Sequence, residues 1–439
     1  MRVLWVCNVL LPVFARHLGV TAQGSGGWLE GCFERLTREQ TDITLAVCMP
    51  VMPPGIHTEK GTLPADSKTV LNGVTFYTFA ENTMAPHVYN AAMETRFKEI
   101  LADFEPDLAH VFGTEFAHTL AFANAFGNPR RLLIGLQGLC GRIADVYMAD
   151  LPYSVQRGRT FRDIVRHDSL RQQQANFRKR AGNEYKALRL AMHVTGRTAF
   201  DREAASEINP EAIYHPMNET LRSVFYSGAW SPDKMEPHTI FVSQGDYPLK
   251  GLHFVLLAMP EILKSFPDAH LYVAGTSIIG NVGSDRHVKR KYPAALSVSG
   301  YGAYLRKIIR KEHLSKHVTM LGRLSGSRMK EQMLKANVFC CPSVLENSPN
   351  AMCEAMLLGT PVVAAKVGGV PSLITDGEEG ILFPSGKVDE LAEGIKTFFY
   401  EPELGRILGG AAARRARVTH NPDTNFKRLI GIYRSIVSS

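Results

Sequence analysis

The strongest constraint on this chain is an alternation. Short, almost wholly apolar runs are separated by longer amphipathic stretches, first over residues 3–195 and again over 239–383. A run such as Val-Leu-Trp-Val-Cys at 3–7 has no polar face, so it must be covered on both sides. Strands of that kind, each followed by a helical stretch, imply parallel sheets wrapped by helices. The first series predicts strands at 3–9, 43–48, 74–79, 108–112, 131–136 and 191–195, with a crossover helix over 87–104. The second predicts strands at 239–243, 269–274, 318–321, 338–341, 361–365 and 380–383. A chain of 439 residues exceeds one ordinary core, so two domains of about 200 residues each are expected. The turn-rich stretch 227–237 reads as the linker. That gives an N-terminal Rossmann-like domain over 1–226, a C-terminal one over 227–420, and a closing helix within 421–439 that packs back on the first.

With 45% hydrophobic and 21% charged residues, the chain has the make-up of a globular protein. Its formal charge of +8 suits an anionic partner. No zinc-finger spacing, RNA-binding aromatic signature or basic heptad region is present, so nucleic acid is not expected as that partner. The seven cysteines lie scattered in apolar runs without metal-ligand spacing, which suits a reducing cytoplasm. Asn8 and Pro12 interrupt the apolar start, which reads as a buried strand and not as a signal peptide. No apolar run is long enough to span a membrane. Residues 154–189 carry ten basic residues against Asp163, Asp168 and Glu184. They read either as a solvated helical face or as a surface for an anionic acceptor or membrane.

The most informative text is Pro342-Ser-Val-Leu-Glu346-Asn-Ser-Pro-Asn350-Ala-Met-Cys-Glu354, followed by Gly359. A strand ends near Cys341, and Ser348 and Pro349 suit an N-cap and a first helical position. Backbone N–H groups at about Asn350 and Ala351 then point past the strand, an arrangement that attracts a diphosphate. Glu346 precedes the helix and Glu354 lies a turn inside it, both acceptors for sugar hydroxyls.

In this setting Glu346 and Glu354 resemble the paired-glutamate motif of the family four retaining glycosyltransferases, which have the GT-B fold of two facing Rossmann-like domains across a cleft. Several other stretches are similar to that family. The turn Ser243-Gln-Gly-Asp-Tyr-Pro-Leu-Lys250-Gly251 matches its phosphate-binding turn, where Lys250 meets the diphosphate. Gly322 and Arg323 match the loop that cradles the base. Gly26 and Gly27 match its N-terminal glycine-rich loop, and Gly368-Gly369 also recurs. The chain has Ser243-Gln244 where the family has a glycine-arginine pair, and Gln137 where many members have a histidine. Gln137 can bind a hydroxyl but cannot titrate. The stretch 217–222 looks like the family's text before the linker and reads as structural.

What the resemblance implies is transfer of a sugar from a nucleotide diphosphate, UDP above others, with retention. The type is that of bacterial polysaccharide assembly. Glu346 would orient the donor sugar and Lys250 would neutralise the leaving phosphate. Donor contacts would come from Glu354, Asn350, Ala351, Gly322, Arg323, Gln244, Gly26, Gly27 and Arg197. At the carboxyl edge of the first sheet, Gln137, Glu115 and His118 are placed to meet an acceptor, a glycan or a polyprenyl-diphosphate-linked one. No Asp-x-Asp pair is present, so neither metal nor other cofactor is expected. A nucleotide-sugar epimerase of the same architecture and a non-catalytic sugar-binding protein are the competing readings.

Overall fold

The computed structural model describes residues 1–20, 27–39, 42–58, 61–276, 278–279 and 298–439. The chain forms two compact units, both discontinuous in sequence. Unit 1 comprises Met1–Gly141, Asn176–Leu221 and His420–Ser439; unit 2 comprises Arg142–Ala175 and Arg222–Thr419. This differs from the division expected at 226: residues 142–175 group with unit 2, and the boundary falls at 221/222.

Unit 1 holds β1 (Arg2–Val6), β2 (Thr44–Val51), β3 (Gly55–Thr58), β4 (Gly61–Pro64), β5 (Ser67–Leu71), β6 (Val74–Ala80), β7 (Leu108–Phe112), β8 (Leu132–Gly135), β9 (His193–Gly196) and β10 (Ile213–Pro216). Eight of these make one sheet of order β10-β9-β8-β7-β1-β2-β6-β5, with β3 and β4 as a separate hairpin. All neighbours in the sheet are parallel except β5 and β6. Central β1 alternates its side chains between two cores. Leu4 and Val6 join Phe79 and Phe97 on one face, while Val3 and Trp5 join Phe33 and Phe76 on the other.

The second face is closed by the last helix, Pro422–Ser438, which contributes Phe426, Leu429, Tyr433 and Ile436. Trp5 Nε1 donates to the Tyr433 hydroxyl at 2.9 Å. The same hydroxyl is hydrogen-bonded to His110 Nδ1 at 2.7 Å. Burial drives the His110 pKa down to about 3, which keeps that ring neutral.

Unit 2 holds β11 (Glu236–Val242), β12 (His270–Ala274), β13 (Val318–Gly322), β14 (Ala336–Cys341), β15 (Val362–Ala365) and β16 (Ile381–Phe383). They form an all-parallel sheet of order β13-β12-β11-β14-β15-β16. Chain order therefore runs outward one way from β11 and the other way from β14. The crevice beyond the carboxyl ends of these two neighbours is where doubly wound sheets take ligands.

The stretch expected to be a linker is instead packed. Trp230 is buried, its indole donates to the Ala336 carbonyl at 2.7 Å, and β11 already begins at Glu236. Among the described residues no helix is long and apolar enough to cross a membrane.

Candidate active site

Two loops meet at that crevice. The first, after β11, runs 243–251; the second, after β14, runs 342–349. Val344 N donates to the Leu249 carbonyl at 2.8 Å and ties them together. Gly251 has φ +65°, and a Cβ added there would overlap the Pro342 carbonyl oxygen. Only glycine fits both demands. Gly368 plays the same part on the other side of the second loop: φ is +49°, and a Cβ would overlap the Glu346 carbonyl oxygen. Gly369 N donates to that oxygen at 2.8 Å. The backbone of Glu346 is thereby clamped.

Its side chain is clamped as well. Lys250 Nζ donates to Glu346 Oε1 at 2.6 Å, and Ser343 Oγ donates to the same oxygen at 2.7 Å. Side-chain exposures of 20% for Lys250 and 12% for Glu346 leave this pair open at one end, so it is not a solvated surface pair. Burial opposes the charge on Lys250. Glu346 and Tyr247 more than offset that and hold the ammonium above the ordinary lysine range.

The helix Asn350–Leu358 begins four positions after Glu346 and ends at Gly359 in the left-handed conformation. Its N-cap is Pro349, one residue later than the sequence suggests, and Ser348 makes no capping bond. Ser348 Oγ is buried at the foot of the corner without a protein hydrogen-bond partner. Met352 N and Cys353 N donate to the Pro349 carbonyl at 3.0 and 3.1 Å, and the start of the helix carries the positive end of its dipole. The place is suited to an anion.

Glu354, inside this helix, is 3% exposed. Arg222 donates to both of its oxygens, from Nε and Nη2, each at 2.6 Å. Burial raises the Glu354 pKa and Arg222 opposes the rise. Gly322 ends β13 at φ +73°, and the side chain of neighbouring Arg323 donates to Thr276 Oγ1 at 3.1 Å. Gln244 lies against Gly275, in the same turn as Lys250. Unit 2 thus gathers Lys250, Glu346, Glu354, Asn350, Ala351 and Gln244 on loops and a helix at one sheet edge.

Unit 1 disposes of its named residues differently. Glu115 follows β7, its carboxyl group buried between Gly113 and Gly138 with Oε2 lacking a protein hydrogen-bond partner, and burial raises its pKa. His118 is fully buried and pairs through Nδ1 with Glu81 at 2.7 Å. It therefore packs inside the unit with no surface to offer an acceptor. Gln137 donates to Glu219 at 2.8 Å, and Arg197 donates to the same carboxylate at 2.9 Å and to the Gln137 carbonyl at 3.1 Å. Arg197 is 5% exposed in its side chain, so its charge is spent inside the unit. Gly26 lies outside the described residues, and Gly27 opens the helix Gly27–Arg38.

In the basic segment, Arg162 pairs with Asp163 and Asp168. Arg180 donates to the Glu115 carbonyl at 2.6 Å and stacks on Phe177. Arg178 and Lys179 remain exposed.

Sequence reasoning passed over Arg222 and Ser343. Ser343 lies three residues before Glu346 and is the nearer to view; the partners of Arg222 are 132 positions away.

Residues 226–415 match the family described as Glycosyl transferases group 1. A phosphatidyl-myo-inositol mannosyltransferase of Mycobacterium leprae is 23% identical over 201 residues, covering 46% of this chain and 47% of that one. A sulfoquinovosyl transferase of Arabidopsis thaliana is 32% identical over 149 residues, covering 30% of this chain and 28% of that one. These matches span less than half the length of either relative. Among solved structures, a sucrose-phosphate synthase from Thermosynechococcus elongatus superposes with a TM-score of 0.70 at 15% identity, over 100% of both chains. The Anabaena protein HepE, in complex with UDP and glucose, gives 0.66 at 16% identity, over 99% of this chain and 100% of that one. The fold is GT-B.

Proposed function

We propose, from the match of residues 226–415 to the group 1 glycosyl transferases, that the protein moves a hexose or N-acetylhexosamine, with retention, from a nucleotide diphosphate to an acceptor hydroxyl. UDP is the first choice of carrier, and the acceptor is a glycan or a polyprenyl-diphosphate-linked one. The observation that carries the reading is the corner in unit 2, where Lys250 is hydrogen-bonded to Glu346 four residues before a helix N-terminus. Support for the carrier comes from HepE, whose structure holds UDP on the same fold. Support for a lipid-linked or polyol acceptor comes from a relative named for phosphatidyl-myo-inositol.

In this reading the diphosphate lies over the first turn at Asn350 and Ala351, with Lys250 beside it. Both stabilise the negative charge that grows as the sugar leaves. Glu346 takes hydroxyls of the donor sugar, and Glu354 those of the ribose. Gly322 and Arg323 border the base. Gln137 and Glu115 of unit 1 serve the acceptor. Transfer takes place on the face from which the diphosphate departs. The leaving phosphate oxygen takes the acceptor proton as the new glycosidic bond forms, so no protein nucleophile is needed. Protein cations do the work of a metal. The seven free cysteines suit a reducing compartment, and exposed Arg178 and Lys179 suit contact with an anionic membrane face.

The test is turnover of UDP-sugars in the presence of EDTA, with Glu346→Gln as control. Release of UDP that depends on acceptor, unaffected by EDTA and at least about a hundredfold slower in the variant, is the expected result. A changed sugar formed without acceptor would point to the epimerase. Loss of turnover in EDTA, regained with magnesium or manganese, overturns the metal-free reading.

A further inference from the structure

Arg222 has no part in the mechanism above, yet three features fix it beside the nucleotide end of the site. Its Nε and Nη2 engage both oxygens of Glu354 as a fork, each at 2.6 Å. Its guanidinium stacks over the fully buried Phe225 ring, 4.8 Å from the centroid. Its third nitrogen, Nη1, lies 3.6 Å from where a Cβ on Gly326 would stand. Gly326 opens the helix Gly326–Lys335, directly after the loop of Gly322 and Arg323. The guanidinium therefore spans the distance between the carboxylate read as the ribose anchor and the loop read as the base cradle.

A carboxylate has about four lone-pair positions. The fork occupies one on each oxygen and leaves the other pair, in fixed directions, for a vicinal diol. Left alone at this depth, Glu354 would take up a proton or swing to another partner. We propose that Arg222 is a positioning residue for the nucleotide. It keeps Glu354 ionised and turned so that the remaining lone pairs meet both ribose hydroxyls. The proposal rests on the assignment of Glu354 under the proposed function. Lysine cannot replace the fork, because a point charge fixes no plane.

The experiment is calorimetric titration of UDP into the full-length protein, together with the KM and kcat for the UDP-sugar. It compares the wild type, Arg222→Met, Arg222→Lys, Glu354→Gln and the double variant Arg222→Met/Glu354→Gln. Arg222→Met is expected to raise the UDP Kd and the donor KM about tenfold while changing kcat less than about threefold, the signature of lost ground-state binding. Arg222→Lys should fall between. In the Glu354→Gln background, removing Arg222 should cost less than about twofold, since both act through one contact. Equal losses in the two backgrounds would mean that Arg222 touches the nucleotide directly and would overturn the proposal, as would wild-type affinity in Arg222→Met. Wild-type affinity in Glu354→Gln would instead remove the ribose role of Glu354 itself. Thermal melts check folding, and where Arg222→Met does not fold, Arg222→Lys carries the test: wild-type KM in that variant refutes the fork.

Discussion

Lys250 and Glu346 behave as one unit in the resting protein. Lys250 Nζ rests on Glu346 Oε1 at 2.6 Å, and in the proposed function a donor phosphate would compete for that ammonium. Because the ammonium is held above the ordinary lysine range, it stays charged through neutral and moderately alkaline solution. A pH profile of kcat/KM should accordingly show no loss from this group below about pH 10. Replacing it with methionine should lower kcat/KM by about a hundredfold or more without unfolding the protein. Away from the site, Glu184 carries a different signal. Its carboxylate is buried, accepts from Thr114 Oγ1 and the Cys140 amide, and has its pKa raised by burial to about 7. The folded state binds this proton more tightly than the unfolded one. The stability it contributes is full below about pH 4.5 and lost as the pH rises through about 7, on the order of 3 kcal/mol. Urea unfolding from pH 4.5 to 8 should show that decline, and Glu184→Gln should flatten it.

The strand-to-helix corner depends on glycines as much as on acids. Gly251→Ala would need both a left-handed alanine and a displaced Pro342 carbonyl. The cost is about 2–5 kcal/mol, read as a lower melting temperature with weakened UDP binding. Much of this corner is legible in sequence, because an apolar strand, a turn with proline and glycine, and a short helix follow one another within 25 residues. The buried central strands are equally legible, since continuous apolar runs admit few other readings. The edge elements are not. β5 and β10 are half-exposed and β3 pairs β4 as a polar hairpin, so none carries an apolar signature. Pairing between distant residues is also hidden. Nothing near Arg222 announces Glu354, and nothing near His118 announces Glu81. Sequence placed His118 and Arg197 at the right sheet edge but could not show that their partners lie inside the unit.

Each unit is assembled from separated stretches of chain, so neither is a simple half of the sequence. The final helix is the clearest case. It returns to unit 1 and buries Phe426, Leu429, Ile430, Ile432, Tyr433 and Ile436 there. At about 1.5–3 kcal/mol for each buried side chain, its removal forfeits on the order of 10 kcal/mol. Ending the chain at Thr419 should leave unit 1 unfolded, visible as rapid proteolysis of its strands. The central claim is that unit 2 holds a nucleoside diphosphate on protein groups alone. It is tested most directly by titrating UDP, in EDTA, into the wild type and into Lys250→Met. Saturable binding by the wild type, weakened at least about tenfold in the variant, is the result this account requires. Absence of binding in EDTA, or equal affinity in the two proteins, would contradict it.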